Sequence, residues 1–311
     1  MNHNIFSKKR CLFSLMLALA MFFPKHSVAQ LVELSVNNKV LGFLFGSTHG
    51  AVNGVPINFE KLAPMLAQSR FVVMESIHGY SPQTQKEQLA IGGADTILTN
   101  APKDMQACVQ NAYEEMLGDE NDNSAVNLDF TSVPFLFAMR YSGYTEALYI
   151  PAAQGLGYDQ KIISYAKTRK LPLAGLEVAA DKIQMLKNIS NDDAYAFLSK
   201  YCAMRTNLPE RKIYLDLKNR IAKSYVSDDM NAFAKYNTDL YKFLGASEDF
   251  YRHFVTNRNA VMARKIERMI KNGYQPFFAV GAAHLGGDDG IVNILNANGV
   301  TTRIISSGDL K

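Results

Sequence analysis

Two stretches of this chain end an apolar run in the same four-residue unit. "VLGFLFGSTHG" at Val40–Gly50 and "PFFAVGAAHLGG" at Pro276–Gly287 both break into Gly-x-x-His, giving His49 and His284. A third run, "RFVVMES", delivers Glu75 at its end. Two imidazoles and one carboxylate are the ligand set of many hydrolytic metal sites, which keep one position open for water. A metal so held lowers the pKa of its water and polarises a carbonyl. Without a metal, either histidine could take a proton from water directly. One Gly-x-x-His says little, because a histidine after a strand is commonly a hydrogen-bonded structural residue. Two of them, with a glutamate at an equivalent strand end, say more. Glycine at the strand exit removes a side chain, so backbone or ligand can come close. The other histidines compete less well. His3 and His26 lie in the first 29 residues, and His253 in a helical stretch reads as packing or surface. His78 could join the site, although "SIHGYSP" reads equally as a loop.

Positioning these groups requires strands. Lys39–Phe45 is a strand, Asn58 can cap a helix through about Gln68, and Phe71–Met74 is a second buried strand. Strand, helix and strand at this length form a βαβ unit, which demands parallel strands. His49 and Glu75 would then leave the carboxyl ends of neighbouring strands, the edge where open α/β sheets take ligands. The C-terminal end repeats the plan. "QPFFAVG" is a buried strand, "GGDDG" a loop with Asp at the helix N-cap, Ile291–Asn298 a helix stopped by Gly299, and "VTTRII" a final strand. The region between, about 178–270, is largely helical. Asp192 and Asp193 open one segment, and periodic stretches follow near Ile213–Tyr225, Met230–Leu244 and Phe250–Ile270. Leu171–Val178 has strand character. Glu114–Asn123 is acidic but lacks the central glycine and closing glutamate of a calcium loop, so it reads as a solvated loop. The expected fold class is α/β: a central, mainly parallel or mixed sheet formed by the N- and C-terminal parts, with a largely helical middle region.

The N-terminus has its own signature. Lys8, Lys9 and Arg10 precede an uncharged run from Cys11 to Phe23, and Ser27-Val28-Ala29 is a small-residue cleavage site. Residues 1–29 therefore read as a secretory signal peptide, and 30–311 as a single domain in a periplasmic or secreted protein. No later apolar run is long and charge-free enough for a membrane span. The signal holds four bases and no acid, so its removal takes the formal charge from +4 to zero. The basic pI thus gives no support to nucleic-acid binding. Cys108 and Cys202 remain after cleavage; an oxidising compartment allows them to pair, but their spacing does not decide it.

Taken together, the residues resemble the TraB/PrgY/GumN family, which includes the TIKI proteins. The resemblance rests on the paired Gly-x-x-His strands, the glutamate ending the second strand and "GAAHLGGDDGIVNILNANGV". The middle agrees: Gly157 and Asp159 followed by Gly175-Leu176-Glu177, then Arg258, Asn259, Met262 and Ala263 in "NRNAVMARKI". It spans about Leu41 to Ile305. It implies an α/β fold related to erythromycin esterase-like and haem-binding ChaN-like proteins. For the TIKI branch it implies a metal-dependent peptidase. Carried over by residue, it nominates His49, Glu75 and His284 as ligands of a divalent ion (Mn, Co or Zn) and as catalytic groups. Arg258 is added as a site cation, with a peptide or small molecule as substrate. "GSTHGAVNG" departs from the family's commoner form after the histidine, which bears on substrate choice. Bland roles stand beside these. Glu177 can pair with a helix N-terminus or an arginine, Asp159 can cap a helix from Gln160, and Arg258 can form an ordinary salt bridge or bind a substrate carboxylate or oxyanion. Two other functions remain open: a periplasmic protein that captures a ligand such as haem without catalysis, and a degenerate fold acting through protein contacts.

Overall fold

The computed structural model describes residues 30–48, 59–77, 101–117 and 157–305, together with 135, 137–139, 141 and 142. Six strands form one mixed sheet: β1 (Leu31–Val36), β2 (Lys39–Ser47), β3 (Phe71–Ser76), β4 (Leu173–Glu177), β5 (Pro276–Gly281) and β6 (Thr301–Ile304). Their order is β4-β3-β5-β2-β1-β6. The four strands β4, β3, β5 and β2 run parallel, while β1 pairs antiparallel with both β2 and β6.

The helices are α1 (Ala63–Gln68), α2 (Gln106–Leu117), α3 (Tyr158–Thr168), α4 (Ala179–Lys187), α5 (Asn191–Thr206), α6 (Leu208–Val226), α7 (Met230–Phe243), α8 (Glu248–Tyr251), α9 (Asn257–Lys271) and α10 (Ile291–Ala297). Alternation along the strands divides the core into two layers. Phe43, Phe45, Val72, Met74, Phe277 and Ala279 meet one helical layer, which includes α3, α5 and α6. Leu44, Val73, Phe278 and Val280 meet α9 and α10 on the other face. A sheet buried on both faces explains why the central strands read as continuous apolar runs. The α9 helix supplies its layer with Met262, Ala263, Ile266 and Ile270, one stripe at helical spacing.

Several expectations need correction. The strands carrying His49 and Glu75 are not neighbours, because β5 inserts between β2 and β3. The final strand does not lie beside β5 but crosses to the far edge, next to β1. No strand was expected before Lys39, yet β1 forms a hairpin with β2. Asn37 and Asn38 make its two-residue turn at φ 51° and 60°, the left-handed geometry that matches strand twist. The α10 helix has Gly290 rather than Asp at its N-cap. A Cβ at Gly290 would lie 2.4 Å from the carbonyl oxygens of both Leu285 and Gly286, so the turn has no room for a side chain. Asp159 does not cap α3. Gly157 stands at the cap, Asp159 falls in the first turn, and the Gln160 side chain accepts from the Gly157 N–H at 3.0 Å. Ser190, not the aspartates, caps α5. Asp193 instead bonds Ser247 at the cap of α8, through N–H at 2.8 Å and Oγ at 3.1 Å. Glu114–Leu117 is the last turn of α2, not loop; the rest of that acidic stretch lies outside the described residues. The expected helix from Asn58 begins as a 3-10 turn at Phe59–Lys61, and Asn58 itself is outside the described residues.

Candidate functional site

Parallel strands end on the same side, and the register aligns those ends. Ser76 pairs with Glu177, Met74 with Ala279, and Gly281 with Ser47. Along this carboxyl edge stand Glu177 on β4, Glu75 on β3 and His284 in the 3-10 turn Ala282–His284 that follows β5. Beside them β2 ends at Ser47 and the description reaches Thr48; His49 lies outside the described residues, as does His78.

Arg258 reaches this edge from the start of α9. The chain between α8 and α9 is a five-residue π turn, Arg252–Thr256, a helix irregularity found at many functional sites. Arg258 forks onto Glu177, with Nε to Oε1 at 2.6 Å and Nη2 to Oε2 at 2.8 Å. The same Nη2 donates to Glu75 Oε1, and Nη1 to the Phe254 carbonyl at 3.1 Å. Of the two roles open to Arg258, the salt bridge is therefore in place. Its charge is already shared by two carboxylates, which favours holding Glu75 over capturing an anionic substrate directly. Burial alone would lower the arginine's pKa, but the Glu177 hydrogen bonds and the Glu75 charge overcome it and push the value upward. Nearby, desolvation raises Tyr241 to about 12, against the opposing pull of Arg258.

Glu75 and His284 face each other. Glu75 Oε2 accepts the Gly281 N–H at 2.7 Å and lies 3.9 Å from His284 Nε2. The glycine of this Gly-x-x-His has a visible reason: a Cβ there would sit 3.1 Å from Glu75 Oε2 and 3.4 Å from His284 Cδ2. The glycine of the first unit, Gly46, has another. Its Cβ would meet Leu285 Cδ1 at 2.7 Å and Gln30 Oε1 at 2.8 Å.

Asn259, buried beside Arg258, sets the chemistry of His284. Its Nδ2 donates to the Asp289 carbonyl at 2.8 Å, which orients the amide, and its Oδ1 lies 2.6 Å from His284 Nδ1. An amide oxygen can only accept, so Nδ1 carries a proton; in the neutral tautomer this fixes, Nε2 is the unprotonated nitrogen and faces Glu75. That nitrogen can ligate a metal or take a proton. Asn259 was not among the candidate residues, although the sequence held a signal: it is a polar residue on the otherwise apolar stripe of α9.

The edge thus gathers Glu75, Arg258 and His284 from among the expected residues, and adds Glu177 and Asn259. Among the described residues no group of three or more His, Cys, Asp or Glu side chains is arranged to hold a metal. Glu75, Glu177 and Arg258 together leave one net negative charge, an environment suited to a cation, be it a bound ion or a protonated His284. A mixed α/β sheet with glutamate and histidine at its parallel carboxyl edge defines the class of architecture. The family model for the TraB/PrgY/gumN family matches residues 31–304, and the chain belongs to that family. Comparison with curated proteins and with solved structures found no match.

Proposed function

We propose that this chain is an exported hydrolase that uses a divalent ion and acts on peptide bonds. The observation that carries the reading is Glu75 Oε2 facing His284 Nε2 at 3.9 Å, with His284 Nδ1 held by Asn259. The donor set fits a metal: two donors on one tetrahedral ion at about 2.1 Å lie about 3.4 Å apart, so small side-chain shifts suffice. Glu75 and His284 would hold the ion, with His49 as the third ligand. The ion would supply an acidified water and a Lewis acid for the scissile carbonyl.

The chain's own residues provide the rest. Arg258 and the Gly281 N–H fix both oxygens of Glu75, one each. Glu75 in this position can act as ligand or as general base toward water. Asn259 holds a proton on His284 Nδ1, so in the neutral ring Nε2 is the nitrogen left to bind. The TIKI resemblance implies that the paired Gly-x-x-His units belong to a shared plan, and the family match spans both units. Export rests on the N-terminal signature and on the pairing of Cys108 with Cys202, Cα atoms 5.9 Å apart, which suits an oxidising compartment.

The test is hydrolysis of a peptide library by the mature protein before chelation, after it, and after return of Mn, Co or Zn. Loss on chelation and recovery on return support the reading. Full activity in metal-stripped protein would instead favour direct proton abstraction by His284, a second reading supported by the same tautomer. No hydrolysis under any condition would remove the peptidase assignment.

A further inference from the structure

The first residue after the small-residue cleavage site is Gln30, and its surroundings are unusual for a chain segment that merely passes through. Its backbone N–H donates to Asp228 Oδ1 at 3.0 Å. Its carbonyl accepts the Gly46 N–H at 2.9 Å, at the glycine of the first Gly-x-x-His. The residue is buried, and its side-chain amide has no hydrogen-bond partner among the described residues. Its φ is +61°, the left-handed region, where a non-glycine Cβ crowds the carbonyl of the preceding residue. Asp228 belongs to the α6–α7 turn, three residues after Tyr225, whose hydroxyl donates to the Gly46 carbonyl at 2.8 Å. Gly46 is therefore gripped on N–H and carbonyl by Gln30 and Tyr225.

We infer that Asp228 is a receptor for the mature N-terminus: cleavage after Ala29 turns the Gln30–Asp228 hydrogen bond into an ion pair that locks the exit of β2. Hydrolysis of the Ala29–Gln30 peptide bond adds water, leaving a carboxylate on Ala29 and an amine on Gln30 that is protonated at neutral pH. The amine nitrogen already lies at hydrogen-bond distance from Asp228, so no rearrangement is required for the pair to form. The carboxylate already makes this bond charge-assisted, and a positively charged donor adds direct attraction between opposite charges. Cleavage also removes the preceding carbonyl, and with it the crowding at φ +61°. Both changes favour the same conformation, and both act on the residue that fixes Gly46, directly before Ser47, Thr48 and His49. Processing thus completes the strand exit that leads into the candidate site. The inference stands whether or not that site hydrolyses peptides.

The experiment compares the exported protein with a form extended by the single residue Ala29, each with and without Asp228→Asn. N-terminal sequencing and intact mass come first. Gln30 with a free amine is the expected result; another first residue, or loss of one ammonia through cyclisation of Gln30, would overturn the inference. The authentic form should melt at least about 2–4 °C above the extended form, and Asp228→Asn should erase that difference whatever it does to both forms together. Equal melting temperatures, or a difference that survives Asp228→Asn, would overturn it. Because Asp228→Asn could weaken the fold generally, reductive methylation of the wild-type amine is read independently. The native amine should react at least tenfold more slowly than in denatured protein, and equal rates would contradict a docked N-terminus.

Discussion

Removing Arg258 leaves two carboxylates facing each other with no cation between them. The side chains of Arg258, Glu75 and Glu177 are only 13%, 13% and 6% exposed, so water can do little to screen the repulsion. Breaking a buried ion pair by deleting one partner costs about 3–5 kcal/mol. Residual exposure argues for the lower end, about 3 kcal/mol, and at about 2–4 °C per kcal/mol the melting temperature of Arg258→Ala should fall by about 6–12 °C. The signature is a reversal of sign. Glu177→Gln should destabilise the wild type, where it removes the fork partner, yet stabilise Arg258→Ala, where it removes one stranded charge. Acidification should narrow the gap between Arg258→Ala and wild type, because a stranded pair can take up a proton while the wild-type pair gains nothing from one. Thermal unfolding of the four proteins near neutral pH and at about pH 5 reads all of this. A loss for Arg258→Ala below about 1 kcal/mol, the range of exposed pairs, or a Glu177→Gln effect of the same sign in both backgrounds, would refute the reasoning.

Imidazole nitrogen NMR of His284 should show the proton on Nδ1 in the wild type. Asn259→Ala should release that preference and Asn259→Asp should favour the doubly protonated ring; an unchanged tautomer in Asn259→Ala would contradict the assignment. The Cys108–Cys202 bond closes a span of 94 residues, so in the chain-entropy picture its reduction costs up to about 4–5 kcal/mol. Denatured, non-reduced protein should show no reactive thiol, and two thiols would rule the bond out. Tyr241, raised to about 12 chiefly by desolvation, should stay protonated in alkali while the unfolded side chain ionises near pH 10. Its contribution to stability is then fully present below about pH 10 and lost as the pH climbs toward 12. Ultraviolet titration of Tyr241→Phe against wild type checks this, and an identical ionisation count below pH 11 in native and unfolded wild type would contradict it.

Much of the scaffold was legible because burial on both faces writes itself into sequence. The runs at Lys39, Phe71 and Pro276 became β2, β3 and β5, and the long periodic stretches became α6, α7 and α9. Strand order was not legible. Periodicity records that Phe43, Val72 and Phe277 are buried, but not that β5 lies between β2 and β3. The β1 strand was missed although Asn37-Asn38 offered a hairpin turn. Helix caps were misread where a close backbone approach, as at Gly290, outweighed the usual preference for aspartate. At the edge itself, Glu75 and His284, and Arg258 through the family resemblance, were nominated and come together, while His49 lies outside the described residues. Asn259 stands in the motif that carries the family resemblance, but its hold on His284 depends on the tertiary path of the Asp289 loop and could not be read from the motif. Glu177 was weighed as a structural partner of an arginine, and it is one.

The central claim is that Glu75 and His284 belong to one ion-binding site at the carboxyl edge of the parallel strands. The most direct measurement is the divalent-metal content of mature wild-type protein, after exposure to Mn, Co or Zn and removal of loose ions, beside His284→Ala and His49→Ala. About one equivalent in the wild type is expected, falling sharply in both variants while circular dichroism stays unchanged. No retained metal in the wild type, or equal retention in all three proteins, would contradict the claim.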